Sequence, residues 1–150
     1  MGTILIIFTK RRFNPISWLI RVVLPRSLFS PAISSHCLII DGDYAIEANM
    51  LHGVRRVPFA VAMKGLTPVK AVTYAVPDHL GGLEWARNQV GCRYDWEGIL
   101  GLAISPGRDW QEPGKWFCYE LAAATIVNAG RDAFAGKGHI TEATLLSIKP

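Results

Sequence analysis

Cys118 stands where a loop rich in proline and glycine gives way to an apolar run, Lys115-Trp116-Phe117-Cys118-Tyr119-Glu120-Leu121-Ala122-Ala123-Ala124. That run predicts a largely buried helix from about Phe117 to Ala129, with Cys118 in its first turn. The unpaired amides and positive dipole end of a helix stabilise a thiolate, and cysteines so placed fall from a pKa near 8.5 to between about 3.5 and 7.5. Substantial ionisation at neutral pH is the condition for nucleophilic attack. Taken alone, a cysteine at a helix start is more often a small buried hydrophobe, so the sulfur needs a partner before it implies chemistry.

The natural partner is an imidazole, and the chain offers His36, His52, His79 and His139. His52 and His139 sit beside glycines in expected loops, and His79 opens an expected helix. His36 lies in an apolar strand, Ser35 to Ile40, which Asp41-Gly42 joins to a second strand, Tyr44 to Ala48. Asp-Gly between such runs is a strong hairpin signal. A two-residue turn at Asp41-Gly42 sets His36 directly across from Glu47 on one face of the sheet. A three-residue turn would put the two side chains on opposite faces. A carboxylate beside an imidazole fixes its tautomer and stabilises the imidazolium, the task of the third member of a catalytic triad. The alternative is a plain cross-strand polar pair.

The elements that must hold these residues read as strands first and helices after. Thr3 to Phe8 is expected as a strand buried on both faces, and Phe59 to Met63 and Val69 to Val76 as further extended segments. Asn14-Pro15 opens an expected short apolar helix to Leu24, ended by Pro25. Helices are expected over about Asp78 to Val90, Asp95 to Ala103, Phe117 to Ala129 and Thr141 to Ile148, with a loop from Ser105 to Lys115. Grouped strands followed by grouped helices indicate one α+β domain over residues 1–150, an antiparallel sheet packed against helices, one of them the buried helix bearing Cys118.

Composition bounds the rest. The chain has 150 residues, 50% hydrophobic and 19% charged, enough for a single core and unlike a disordered chain. Its longest apolar runs fall far short of the ~20 residues that span a bilayer, and no signal peptide is apparent at the start, so a cytoplasmic or virion-associated setting is expected. Cys37, Cys92 and Cys118 form neither a disulfide framework nor a CxxC zinc pair, and no cofactor or metal is expected. The net charge is +4, and the first forty residues hold Lys10, Arg11, Arg12, Arg21 and Arg26 with no acidic residue. That end suits anionic cell-wall polymer or a membrane surface, or is simply a solvated face; nothing resembles a nucleic-acid recognition element.

Four segments together resemble a known family: Ser35-His36 before an apolar strand, Ile46-Glu47-Ala48 on the next, Gly91-Cys92-Arg93-Tyr94-Asp95, and Phe117-Cys118-Tyr119-Glu120-Leu121. In content and order they resemble the circularly permuted NlpC-type, papain-like cysteine hydrolases, the branch that includes the lecithin–retinol acyltransferase relatives, in which histidine precedes the cysteine helix. The resemblance covers most of the chain. It implies a permuted papain-like fold with Cys118 as nucleophile, His36 as general base, Glu47 orienting it, and Tyr94 helping to bind the oxyanion. It implies a peptide or acyl substrate: a peptidoglycan peptide amide in a bacterial or phage setting, or a lipid acyl ester at a membrane surface. A catalytically idle binding or structural module is the rival from another class. One departure stands out: Tyr119 occupies a position where the family usually has a small residue, and its bulk is expected either to reshape the acyl pocket or to mark a divergent substrate. Trp110 and Trp116 flank the loop before Cys118, as cleft walls or as core anchors.

Overall fold

Strand-forming residues fill the first half of the chain, and there the backbone is indeed extended. The computed structural model describes residues 1–11, 34–97, 114–134 and 140–148. Five strands form an antiparallel sheet: β1 (Gly2–Lys10), β2 (His36–Asp41), β3 (Tyr44–Asn49), β4 (Gly53–Pro58) and β5 (Thr67–Val76), in the order β4-β3-β2-β1-β5. The remaining elements are α1 (Phe59–Ala62), α2 (His79–Asn88), the short strands β6 (Arg93–Tyr94) and β7 (Lys115–Trp116), α3 (Cys118–Asn128) and α4 (Glu142–Leu146). The fold is α+β, a five-stranded antiparallel sheet with short helices packed against it.

The two sheet faces bury different things. On one, Ile4, Ile6 and Phe8 of β1 join Cys37, Ile39, Ile46, Tyr74 and the apolar side of α3 in the main core. The other carries a smaller cluster, Leu38, Ala45 and Ala62, roofed by α1. β1 is thus buried on one face and half-buried on the other, where burial on both was expected. The α3 helix is covered almost all round because alanines let neighbours approach closely. Gly82 does the same for α2: a Cβ there would come within 2.6 Å of the Ala129 Cβ.

One expectation needs correction. Phe59 to Met63 is not extended: Phe59–Ala62 forms one helical turn after Pro58, and Val61 points outward, so the β-formers Phe59 and Val61 are overruled by their surroundings. The segment between it and β3, which carried no expectation, is the edge strand β4. The Asn14 to Leu24 helix, residues 98–103 of the Asp95 to Ala103 helix, most of the Ser105 to Lys115 loop, Arg12, Arg21, Arg26, Trp110 and His139 lie outside the described residues. Among the described residues no helix is long and apolar enough to cross a membrane.

Candidate active site

The hairpin that carries His36 and Glu47 turns one residue later than the Asp-Gly signal suggests. Asp41 pairs with Tyr44 and Ile39 with Ile46, so Gly42 and Asp43 are the turn residues. Gly42 has φ +60°, the left-handed conformation that a II′-type turn requires at its first central position. Continuing that register, Glu47 lies beside Leu38, and His36 is its diagonal neighbour. Direct opposition is lost, but a two-residue step keeps both side chains on one face. They meet there: His36 Nε2 lies 2.5 Å from Glu47 Oε2. Glu47, 2% exposed, is also gripped on Oε1 by Arg55, whose Nε donates at 2.7 Å and whose Nη2 lies at 2.5 Å. Arg55 faces Glu47 directly across the β3–β4 ladder.

Cys118 opens α3, after an extended Phe117 at the N-cap position. Nε2 of His36 is committed to Glu47, and the imidazole stands close enough to the Cys118 side chain for each to shift the titration of the other. Cys37 closes on the same residue: its thiol donates to the Cys118 carbonyl at 3.2 Å. These contacts split the titrations apart. Burial pushes the Cys118 thiol up, but hydrogen bonds from Cys37 and His36, with the charge of the imidazole, bring it down from 9.0 to about 5. Burial pushes His36 down, and its hydrogen bonds to Cys118 and Glu47 and their charges carry it from 6.5 up to about 9. Glu47 is held below the usual carboxylate range: its burial is outweighed by His36 and Arg55. Between those limits the site holds a thiolate beside an imidazolium.

Tyr94 reaches the site on β6, which pairs in parallel with β7 immediately before α3, Tyr94 opposite Trp116. A second tie draws it toward β4: the Cys92 carbonyl accepts from Val54 N at 2.8 Å, and Gly91 N donates to Val54 O at 2.9 Å. Gly53 makes room for this contact, since its φ is +67° and a Cβ there would stand 2.2 Å from the Cys92 oxygen. Burial and the neighbouring thiolate hold the Tyr94 phenol well above 10, so it remains a hydrogen-bond donor.

A cavity of about 340 Å³ opens on the α1 face, walled by His36, Glu47, Arg55, Tyr94, Leu66 and Trp96 among others. Cys118, 4% exposed, contributes no wall to it and meets it through His36. Among the described residues, Trp96 and not Trp116 lines the cavity. Trp116 is an anchor, edge-on to Trp85 at 5.4 Å and donating from Nε1 to Gln89 at 3.1 Å. Tyr119 also leaves the pocket alone: its ring packs against Phe8 and Phe117, and its hydroxyl hydrogen-bonds Ser34 at 2.9 Å. Of the basic N-terminal residues, Arg11 reaches the cavity wall and Lys10 ends β1.

His36, Glu47 and Tyr94 thus line one cavity, and buried Cys118 joins them through His36. Arg55 and Cys37 join them without having been singled out in the sequence. The Arg55 signal was present as an opposite charge facing Glu47 in a Val54-Arg55-Arg56-Val57 strand. Cys37 has no local signal beyond its place next to His36. Comparison of the chain with protein-family models, with curated proteins and with solved structures finds no match.

Proposed function

We propose that the protein is a thiol hydrolase of the permuted NlpC-type, papain-like kind, cleaving an amide or ester bond through a thioester on Cys118. The observation that carries this reading is the place of His36 beside Cys118 with its Nε2 on Glu47, the thiol drawn down to about 5 and the imidazole up to about 9. An ion pair formed in advance shifts the role of His36 from base to acid in the first step. The Cys118 thiolate attacks the carbonyl carbon, and the C–S bond forms as the carbonyl π pair moves to oxygen. Tyr94 and the amides at the start of α3 are the donors at hand for that oxyanion. His36 then gives its proton to the leaving nitrogen or oxygen as that bond breaks, which leaves a thioester and a neutral imidazole. A water, deprotonated by His36, attacks the thioester, releasing the acid and restoring thiolate and imidazolium.

The preferred substrate class is a peptidoglycan peptide amide, a ligand rich in carboxylates, supported by Arg11, His52 and Lys64 around the cavity. The second reading, a lipid acyl ester, is supported by Met50, Leu51, Val61 and Leu66 in the same wall. Purified protein assayed against muropeptides and against acyl lipids separates them, with Cys118→Ser and His36→Ala as controls. Turnover of one class, lost in both variants, is expected. Turnover that survives both variants, or none on either class, overturns the assignment, the latter in favour of a binding module.

A further inference from the structure

Among the described residues, Asp41 and Glu47 are buried carboxylates held by arginines on opposite faces of the sheet, and Glu47 also holds a histidine. Asp41 accepts from Arg56 Nε at 2.5 Å and from Arg87 Nε and Nη2 at 2.9 and 2.5 Å. That cluster ties β2, β4 and α2 together, and its atoms are fully used by the arginines. Glu47 is divided instead: both Arg55 donors converge on Oε1, and Oε2 is left to His36. Arg55 and Arg56 are consecutive, and strand alternation sends one to each carboxylate.

We infer that Arg55 is a positioning residue of the active site, keeping Glu47 ionised in its buried place and turning its second oxygen toward His36. The inference rests on the reading of Cys118 and His36 as the reacting pair. A carboxylate 2% exposed needs a compensating cation at all times, and the imidazolium supplies one only while it holds its proton. During the proposed cycle His36 gives that proton away, and at that stage Arg55 is the cation that touches Glu47. The guanidinium cannot lose its proton, so it holds the carboxylate charge and direction constant while the imidazole alternates. Two donors converging on Oε1 hold that oxygen and leave Oε2 to His36. Glu47 is faced by His36 from β2 and Arg55 from β4, with Tyr94 of β6 on the same cavity. Arg11, His52 and Lys64 add positive or titratable groups around it, and Cys118 and Cys37 lie on the far side of His36. Arg55 borders the cavity too, so the rival role is a cation that binds substrate.

The test separates these roles. The Glu47 carboxyl is titrated by ¹³C NMR in wild type, Arg55→Gln and Arg55→Lys, with thermal unfolding as a check on folding. Arg55→Met, which keeps the aliphatic stem, replaces the Gln variant should that not fold. The expected result is an upward move of the Glu47 midpoint by about one pH unit or more in Arg55→Gln, with most of it recovered in Arg55→Lys. On a substrate found as above, kcat is expected to drop roughly tenfold to a hundredfold with KM little changed, and Arg55→Gln is expected to add nothing in a Glu47→Gln background. An unmoved Glu47 midpoint overturns the inference, as does a loss confined to KM or one that adds to that of Glu47→Gln. The NMR titration needs no substrate, so it judges Arg55 even where the hydrolase reading fails.

Discussion

At the scale of single residues, the proposed chemistry depends on two protons that have changed places. An isolated thiol would hold its proton at neutral pH and an isolated imidazole would mostly lack one; here Cys118 is drawn down to about 5 and His36 up to about 9. Two measurements report the two limits separately. Alkylation of Cys118 by iodoacetamide, located by peptide mass spectrometry, is expected to rise through about pH 5 and not to fall above 9, because the thiolate persists. Turnover is expected to rise through the same lower limit and to decline through about pH 9, where His36 loses the proton it must donate. Faster labelling of half-buried Cys92 than of Cys118 near pH 6 would contradict an activated thiolate. Tyr119 gives a second residue-level prediction. With its ring in the core and its hydroxyl on Ser34, Tyr119→Ala should cost roughly 3–5 kcal/mol in denaturant unfolding while leaving the choice among substrates unchanged.

At the scale of elements, the approach of Tyr94 to the site depends on a turn. Gly53 has positive φ, and its missing Cβ is what admits the Cys92 carbonyl. Gly53→Ala is therefore expected to lose about 1–3 kcal/mol or more in thermal unfolding and to reduce kcat beyond what the loss of folded protein explains, as β6 moves off β4. The same elements show what a linear reading can and cannot reach. The His36 and Glu47 strands were legible because Asp41-Gly42 lies between two apolar runs, yet the register came out two residues off. Nothing in the dipeptide says that glycine takes the first central turn position and leaves Asp41 in the strand. The Cys118 helix was legible from its alanines and its preceding loop. The β4 strand was not, because Arg55 and Arg56 break the apolar alternation and their carboxylate partners, Glu47 and Asp41, become visible only once β3 and β2 are in place. Phe59–Ala62 misled for the opposite reason: strand-forming side chains occupy a single helical turn whose entry is set by Pro58 and by the bond from Phe59 N to Asp43 O at 2.9 Å.

At the scale of the whole molecule, the shifted groups link folding to acidity, and the sign follows from proton counts. Unfolded, His36 gains its proton below about 6.5, while the folded thiolate waits until about 5. Across that window the unfolded chain binds one more proton, so stability contributed by the pair is present above about 6.5 and is lost as pH falls to 5, by about 2 kcal/mol. Between about 6.5 and 9 the counts match and the pair adds no slope. Asp41 and Glu47, both held low, contribute stability above the ordinary carboxylate range that is lost as pH falls through their folded values. Urea unfolding as a function of pH should therefore decline in two stages, and Cys118→Ser should flatten the upper stage alone; a decline identical in both proteins would contradict the ion pair.

The order of the elements carries a last consequence. Histidine and glutamate arrive on early strands, whereas the helix that activates the sulfur emerges from the ribosome some eighty residues later. Until that helix docks, its cysteine is an ordinary thiol with no imidazole beside it, so a growing polypeptide passes through synthesis chemically quiet, and reactivity switches on only as the core closes.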